Sequence, residues 1–152
     1  MAKESYNPYG FWPATPNAKT RMMEVAASQT FAAGDPLVLS SGQVAVAVQN
    51  SSTELCGIAA EACASLDQGT EVAVWADPDQ EFFGRCNADA SGVAVGTLMD
   101  LDGTTGAFEI DENASDQDLF CHLGVKRGDD DSQAGAQLRV RIAKHAFADV
   151  SS

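Results

Sequence analysis

Little in this chain is chemically reactive. Its 152 residues include two histidines, His122 and His145, and four cysteines, Cys56, Cys63, Cys86 and Cys121. No two of the cysteines form a C-x-x-C pair, which removes the zinc-ribbon and dithiol redox readings. They read instead as small buried hydrophobes. Cys121 and His122 are neighbours on an expected strand, so their side chains leave opposite faces and cannot form a nucleophile–base pair. There is no G-x-S-x-G, no H-E-x-x-H and no phosphate-cradling glycine loop ahead of a helix. The expectation is a protein that is not an enzyme and that takes no cofactor.

Long apolar runs are missing as well. None approaches the ~18 residues needed to cross a bilayer, so no membrane partner is expected. The opening MAKESYNPYG lacks the apolar core of a signal peptide, which points to synthesis and folding in a reducing cytoplasm. No stretch of ten residues shows good helical periodicity. Basic residues are scarce too: 9 against 22 acidic, for a net charge of −13. The imbalance lies in the body. Residues 1–21 carry Lys3, Lys19 and Arg21 against Glu4 (3 − 1 = +2), and the remainder carries 6 − 21 = −15. Such a body repels phosphates, so direct binding of nucleic acid is not expected. Asp100-x-Asp102-Gly103 and the run Asp111, Glu112, Asp116, Asp118 offer hard oxygen ligands. Neither fits an EF-hand loop, because the sixth position that needs glycine holds Thr105 or Asp116. They read as solvated acidic loops.

What is present is a repeat. GDPLVLSSGQVAVAV, LCGIA and GTEVAVW are echoed by GTLMDLDGTTGAFEI, FCHLG and GAQLRVRI. Gly34 matches Gly96, Leu55-Cys56 matches Phe120-Cys121, and Gly69 matches Gly135. Val44, Val46 and Val48 alternate with polar or small residues, as do Val72 and Val74, and Leu138-Arg139-Val140-Arg141-Ile142 alternates apolar with basic. Period-2 alternation marks half-buried strands. Ser40-Ser41-Gly42 and Asp102-Gly103 supply turns. Residues 55–64 are apolar and small, and periodicity does not decide between a strand and a single helical turn. The expected fold is all-β: a small barrel or sandwich built from two related halves. The pseudo-repeats cover about 31–75 and 95–142 of one body over 24–148, followed by a tail over 149–152. Each half of about sixty residues would be marginal alone, which favours one body over two domains.

Residues 1–23 read as an extended N-terminal arm. Pro8, Pro13 and Pro16 remove donors and fix φ, and Tyr6, just before them, and Tyr9, Phe11 and Trp12, between them, are packed into the same stretch. Fully burying each ring is worth roughly 1.5–3 kcal/mol, so the rings either fold back on their own body or dock onto a neighbouring chain. Tyr6, Tyr9, Phe11 and Trp12, with Arg21, are the candidate protein-interface residues, because aromatic and arginine side chains dominate interface hot spots.

The order Gly34-Asp35-Pro36-Leu37-Val38-Leu39, a turn, Val44-Ala45-Val46-Ala47, Leu55-Cys56-Gly57-Ile58-Ala59-Ala60 and Gly69-Thr70-Glu71-Val72-Ala73-Val74 resembles small capsid decoration (cement) proteins of tailed bacteriophages. The resemblance covers about residues 31–75 and, through the echo, 95–142. His122-Leu123-Gly124 departs from it where the first unit has Gly57-Ile58-Ala59, and the aromatic arm lies outside it. The resemblance implies a structural virion protein on the outer surface of a phage head, stabilising the capsid shell. It also implies a major capsid protein as partner and sister subunits in a homotrimer. Alternatives are a phage tail or fibre component, or a carbohydrate-binding β-module using Trp12, Trp75, Phe82 and Phe83 as a stacking platform.

Overall fold

The computed structural model describes residues 9–48, 53–64, 70–111, 117–130, 132 and 134–147. Among these every regular element is a strand, and the chain is all-β. The strands are β1 (Phe11–Pro13), β2 (Arg21–Glu24), β3 (Pro36–Ser40), β4 (Gln43–Val46), β5 (Leu55–Ala59), β6 (Glu71–Trp75), β7 (Glu81–Arg85), β8 (Leu98–Asp102), β9 (Glu109–Asp111), β10 (Phe120–Val125) and β11 (Gln137–Ile142). They form two antiparallel sheets packed as a sandwich, in the orders β1-β7-β11-β10-β8-β9 and β2-β6-β5-β3-β4.

The two sheets share one wiring. Leaving out β1, the second order reproduces the first with each strand advanced by five: β7 stands for β2, β11 for β6, β10 for β5, β8 for β3 and β9 for β4. The repeat is therefore wider than the sequence echo, because it takes in β2 and β7. Each half also curls until its end strands touch. Val25, just past β2, bridges Val44 of β4, and Cys86, just past β7, bridges Ile110 of β9. This near-closure limits the exposed edges that a sheet otherwise offers for aggregation.

Register shows which residues correspond. Pro36 pairs with Ile58 and Ile58 with Trp75; in the second half Leu98 pairs with Cys121 and Cys121 with Arg141. The glycine landmarks agree with these rows, since Gly34 and Gly96 lie two residues before Pro36 and Leu98. The counterpart of Cys121 is thus Ile58, not Cys56, which corrects the cysteine match by two positions. A two-residue slip leaves every side chain on its original face, so alternation alone cannot detect it. His122 takes the place of Ala59. The N–H groups of Ala59 and His122 donate to the equivalent carbonyls of Asp35 and Thr97, at 2.8 and 2.9 Å. Residues 55–64, open between strand and turn in the sequence, begin with strand β5, which is buried throughout.

The core has two parts. Val25, Phe31, Leu37, Val44, Val72 and Val74 fill the first half. A second cluster fills the other half with Phe82, Met99, Ile110, Phe120, Leu138 and Val140, and extends across the junction to Leu55 and Ile58. β5 is therefore covered on both faces. Three of the four free thiols, Cys56, Cys63 and Cys86, are buried, and Cys121 is half-buried. Burial pushes the Cys56 thiol up to about 12, so it stays protonated at neutral pH.

Asp35 ties the halves together from within. It is 1% exposed, and its carboxylate accepts N–H bonds from Ala32 (3.0 Å) and from Gly106 (3.1 Å) in the β8–β9 loop of the other half. Burial raises its pKa against the pull of those two bonds.

The chain ends exchange halves. β1 precedes the first half but pairs with β7 of the second. Residues 143–147 follow the second half but seal β5 of the first. There the Leu55 N–H donates to the Lys144 carbonyl at 3.0 Å, and the Ala146 N–H donates to the Leu55 carbonyl at 2.8 Å. Of the two expectations for the arm over 1–23, its described part follows the one in which it folds back on its own body, as Phe11–Pro13 and Arg21–Glu24 are strands of the two sheets. Residues 1–8 and the tail over 149–152 lie outside the described residues.

His145 sits in the C-terminal seal, 3% exposed, and its Nδ1 accepts the Phe147 N–H at 3.0 Å. Burial pushes its pKa below the usual 6.5, against smaller upward pulls from Asp77 and the Ala76 backbone. The folded protein holds this imidazole neutral while the unfolded chain protonates it. Stability is therefore intact above the unfolded value and falls as pH drops below about 6.5. Asp35 has the opposite sign, since its raised pKa favours the folded state as it protonates. Urea midpoints at pH 7 and pH 5 should show a loss in the wild type and a smaller loss in His145→Asn, whose amide oxygen can still accept the Phe147 N–H. Equal losses in the two proteins would remove His145 as the cause.

Candidate protein-binding interface

The aromatic run at the N-terminus is split by strand alternation. Phe11 points inward and is fully buried, stacked on Phe120 with centroids 4.6 Å apart and planes 15° from parallel. It fits because Gly84 lies beneath it, where a Cβ would come within 2.5 Å of the ring. Trp12 points the other way. Its indole meets Trp75 edge-on at 6.3 Å and rests on Gly34, where a Cβ would come within 2.8 Å. Its Nε1 donates to the Tyr9 carbonyl at 3.0 Å, and the Tyr9 ring lies 4.9 Å from the Arg85 guanidinium. Arg21 is placed in the other sheet, at the start of β2, with its guanidinium 4.9 Å from the Phe147 ring. Tyr6 lies outside the described residues. Of the five sequence candidates, then, Tyr9 and Trp12 come together, Arg21 stands apart in the other sheet, and Phe11 is a core residue with no surface to offer a neighbour.

Trp12 heads a row that the sequence did not single out. It pairs across the sheet with Phe83, and Phe83 with Arg139. These three side chains share the outer face of the six-stranded sheet, since paired residues point to the same side. Lys126 stands 5.4 Å and Arg139 5.8 Å from the Phe83 ring centroid, within cation–π range. Trp12, Phe83, Lys126 and Gln137 line a recess of about 250 Å³. Two ion pairs brace the face: Arg139 with Glu81, and Arg85 with Glu109 at 2.8 Å. The basic-out alternation of β11 and the Phe82-Phe83 pair were its only traces in the sequence.

The rings do not make a sugar platform. Phe82 is fully buried and Trp75 packs into the junction between the halves, so Trp12, Trp75, Phe82 and Phe83 do not share one open face. Asp100 and Asp102 are spent locally, while Glu112 and Asp116 of the acidic run lie outside the described residues. Asp100 is buried, and its Oδ1 accepts the Gln117 and Asp118 N–H groups at 2.9 Å, while Asp102 accepts from Asn87 at 3.0 Å. Among the described residues no three His, Cys, Asp or Glu side chains are grouped to hold a metal ion.

Fold and face together define a two-sheet β sandwich with one basic, aromatic outer surface. Comparison with protein-family models, with curated proteins and with solved structures finds no match.

Proposed function

We propose that this chain is a structural virion subunit that binds the outside of a phage head and stabilises its shell, acting as a symmetric oligomer. The reading rests on the resemblance of residues 31–75 to capsid decoration proteins. The observation that carries it is the fold's economy: two identically wired halves, each clasped by a segment from the other side of the chain, spend their shared strand pattern on one body. The chemistry available to such a body is adhesion. A shell exerts steady load on its cement, and a body in which β1 and residues 143–147 are both tied to sheets holds these outlying segments in place. The acidic surface keeps the subunit soluble and away from packaged DNA.

The test is co-sedimentation of the purified chain with empty heads, followed by heating the decorated and bare heads. Saturable binding and a raised disruption temperature of the heads are expected, because a ligand that binds only the intact shell stabilises it by mass action. Failure to sediment with heads refutes the reading. Sedimentation of the free chain reports its oligomeric state.

A further inference from the structure

The outer face of β7, β11 and β10 is the counterpart of a face that the first half keeps buried. In the first half, the row Pro36–Ile58–Trp75 lies under the second half, and Ile58 and Trp75 belong to the shared core. The matching row in the second half, Leu98–Cys121–Arg141, is uncovered: Leu98 is 38% exposed, and Cys121 and Arg141 are half-buried. The same wiring thus yields one covered face and one open face.

The open face is also where positive charge collects. Arg85, Arg139, Arg141 and Lys126 stand on or beside it, four of the chain's nine basic residues, and Arg127 follows Lys126 in the loop out of β10. Glu81 and Glu109 are spent on Arg139 and Arg85, and the Asp129 carboxylate accepts the Gln137 N–H at 2.7 Å. Arg141, Lys126 and Arg127 are left without an ion pair among the described residues. On a chain of net charge −13, this is the surface to which an anionic partner is drawn.

We propose that this face docks an acidic peptide segment of another protein, with one apolar side chain of that segment seated in the recess between Trp12 and Phe83. The recess of about 250 Å³ holds a single side chain, and aromatic walls with cationic rims suit an apolar anchor flanked by carboxylates. A polyphosphate is disfavoured because it carries no apolar side chain to fill the recess against Trp12 and Phe83. The proposal rests on the reading of this chain as a protein-binding virion subunit, and it assigns the docking face and the partner's chemistry.

The probe is a fluorescent fifteen-residue peptide of Glu, Asp and Ser with one central Leu. Its controls are the same peptide with Ser for Leu, and a single-stranded DNA of similar length. The wild type should bind the Leu peptide more tightly than either control. The double variant Lys126→Glu/Arg141→Glu should bind it about ten-fold more weakly, and added salt should weaken the wild type. Phe83→Ala should lose the preference for Leu over Ser, with its urea midpoint confirming that it is folded. Equal binding of DNA or of the Ser peptide, or wild-type affinity in the double variant, overturns the proposal. Head binding separates the two readings: heads bound equally by wild type and double variant overturn the face but leave the virion role. A wild type that ignores heads defeats the role, and the peptide measurement still judges the face.

Discussion

Phe11→Ala should cost about 3–5 kcal/mol of stability, the range for emptying a buried phenylalanine site. In a chain of this size that lowers Tm by roughly 2–4 °C for each kcal/mol. The size of the effect follows from the seat of the ring. Phe11 is fully buried, stacks on Phe120 and lies on Gly84, so its loss leaves a void that no neighbour on these rigid strands can fill. The strand that carries it would also loosen, because β1 is only three residues long and holds one edge of the six-stranded sheet. Val95→Ser, at a position 67% exposed, serves as the control and should stay within about 0.5 kcal/mol of wild type. Thermal and urea unfolding measure both. An unchanged midpoint in Phe11→Ala would mean that the N-terminal segment is an appendage after all. The same burial changes how the N-terminus should be probed: removing residues 1–20 would take β1 out of the sheet, so loss of head binding in that deletion would report misfolding as readily as a lost contact.

Ending the chain at Ile142 should be at least as damaging, at about 4–6 kcal/mol. The estimate combines about 1 kcal/mol for each of three backbone bonds with the uncovering of one large aliphatic side chain. The bonds are Leu55 to Lys144, Ala146 to Leu55, and Ala143 to the Leu119 carbonyl at 2.7 Å, an acceptor that the Lys144 N–H shares at a longer 3.4 Å. Leu55 is fully buried, and Ala146 and Phe147 pack against the first-half core. A chain ending at Phe147 retains all three bonds and should unfold close to wild type. Urea titration of the two truncations beside the full chain makes the comparison. Equal midpoints for the chain ending at Ile142 and the full chain would show that residues 143–147 do not hold the first half.

Alternation at Val44–Val48, Val72–Val74 and Leu138–Ile142 was enough to read an all-β body, and the glycine-led echoes were enough to read two halves. Both signals are local, since side-chain period and turn chemistry are set by neighbours in sequence. What could not be read was long-range. The Pro-rich stretch around Phe11 announces extended backbone, but nothing in it names β7, some seventy residues away, as its partner. The cysteine match was drawn two positions off because a slip of two conserves the inward and outward faces. The Trp12–Phe83–Arg139 row was hidden for the same reason, as its members meet only once the register of three strands is fixed. Of the interface candidates, Tyr9 and Trp12 fall beside this row. Phe11 does not, because adjacent strand residues point opposite ways.

The crossed ends set a timetable for biosynthesis. On a ribosome, residues 21–75 emerge before the second half and contain all five strands of one sheet. They still lack the clasp at Leu55, which is translated some seventy residues later, near position 144. β1, the earliest strand to appear, waits for β7 before it has an edge to join. The first half is completed only after residues 143–147 emerge and β1 is seated only after β7 does, so closure comes late, a slow route for a chain so dominated by non-local pairing.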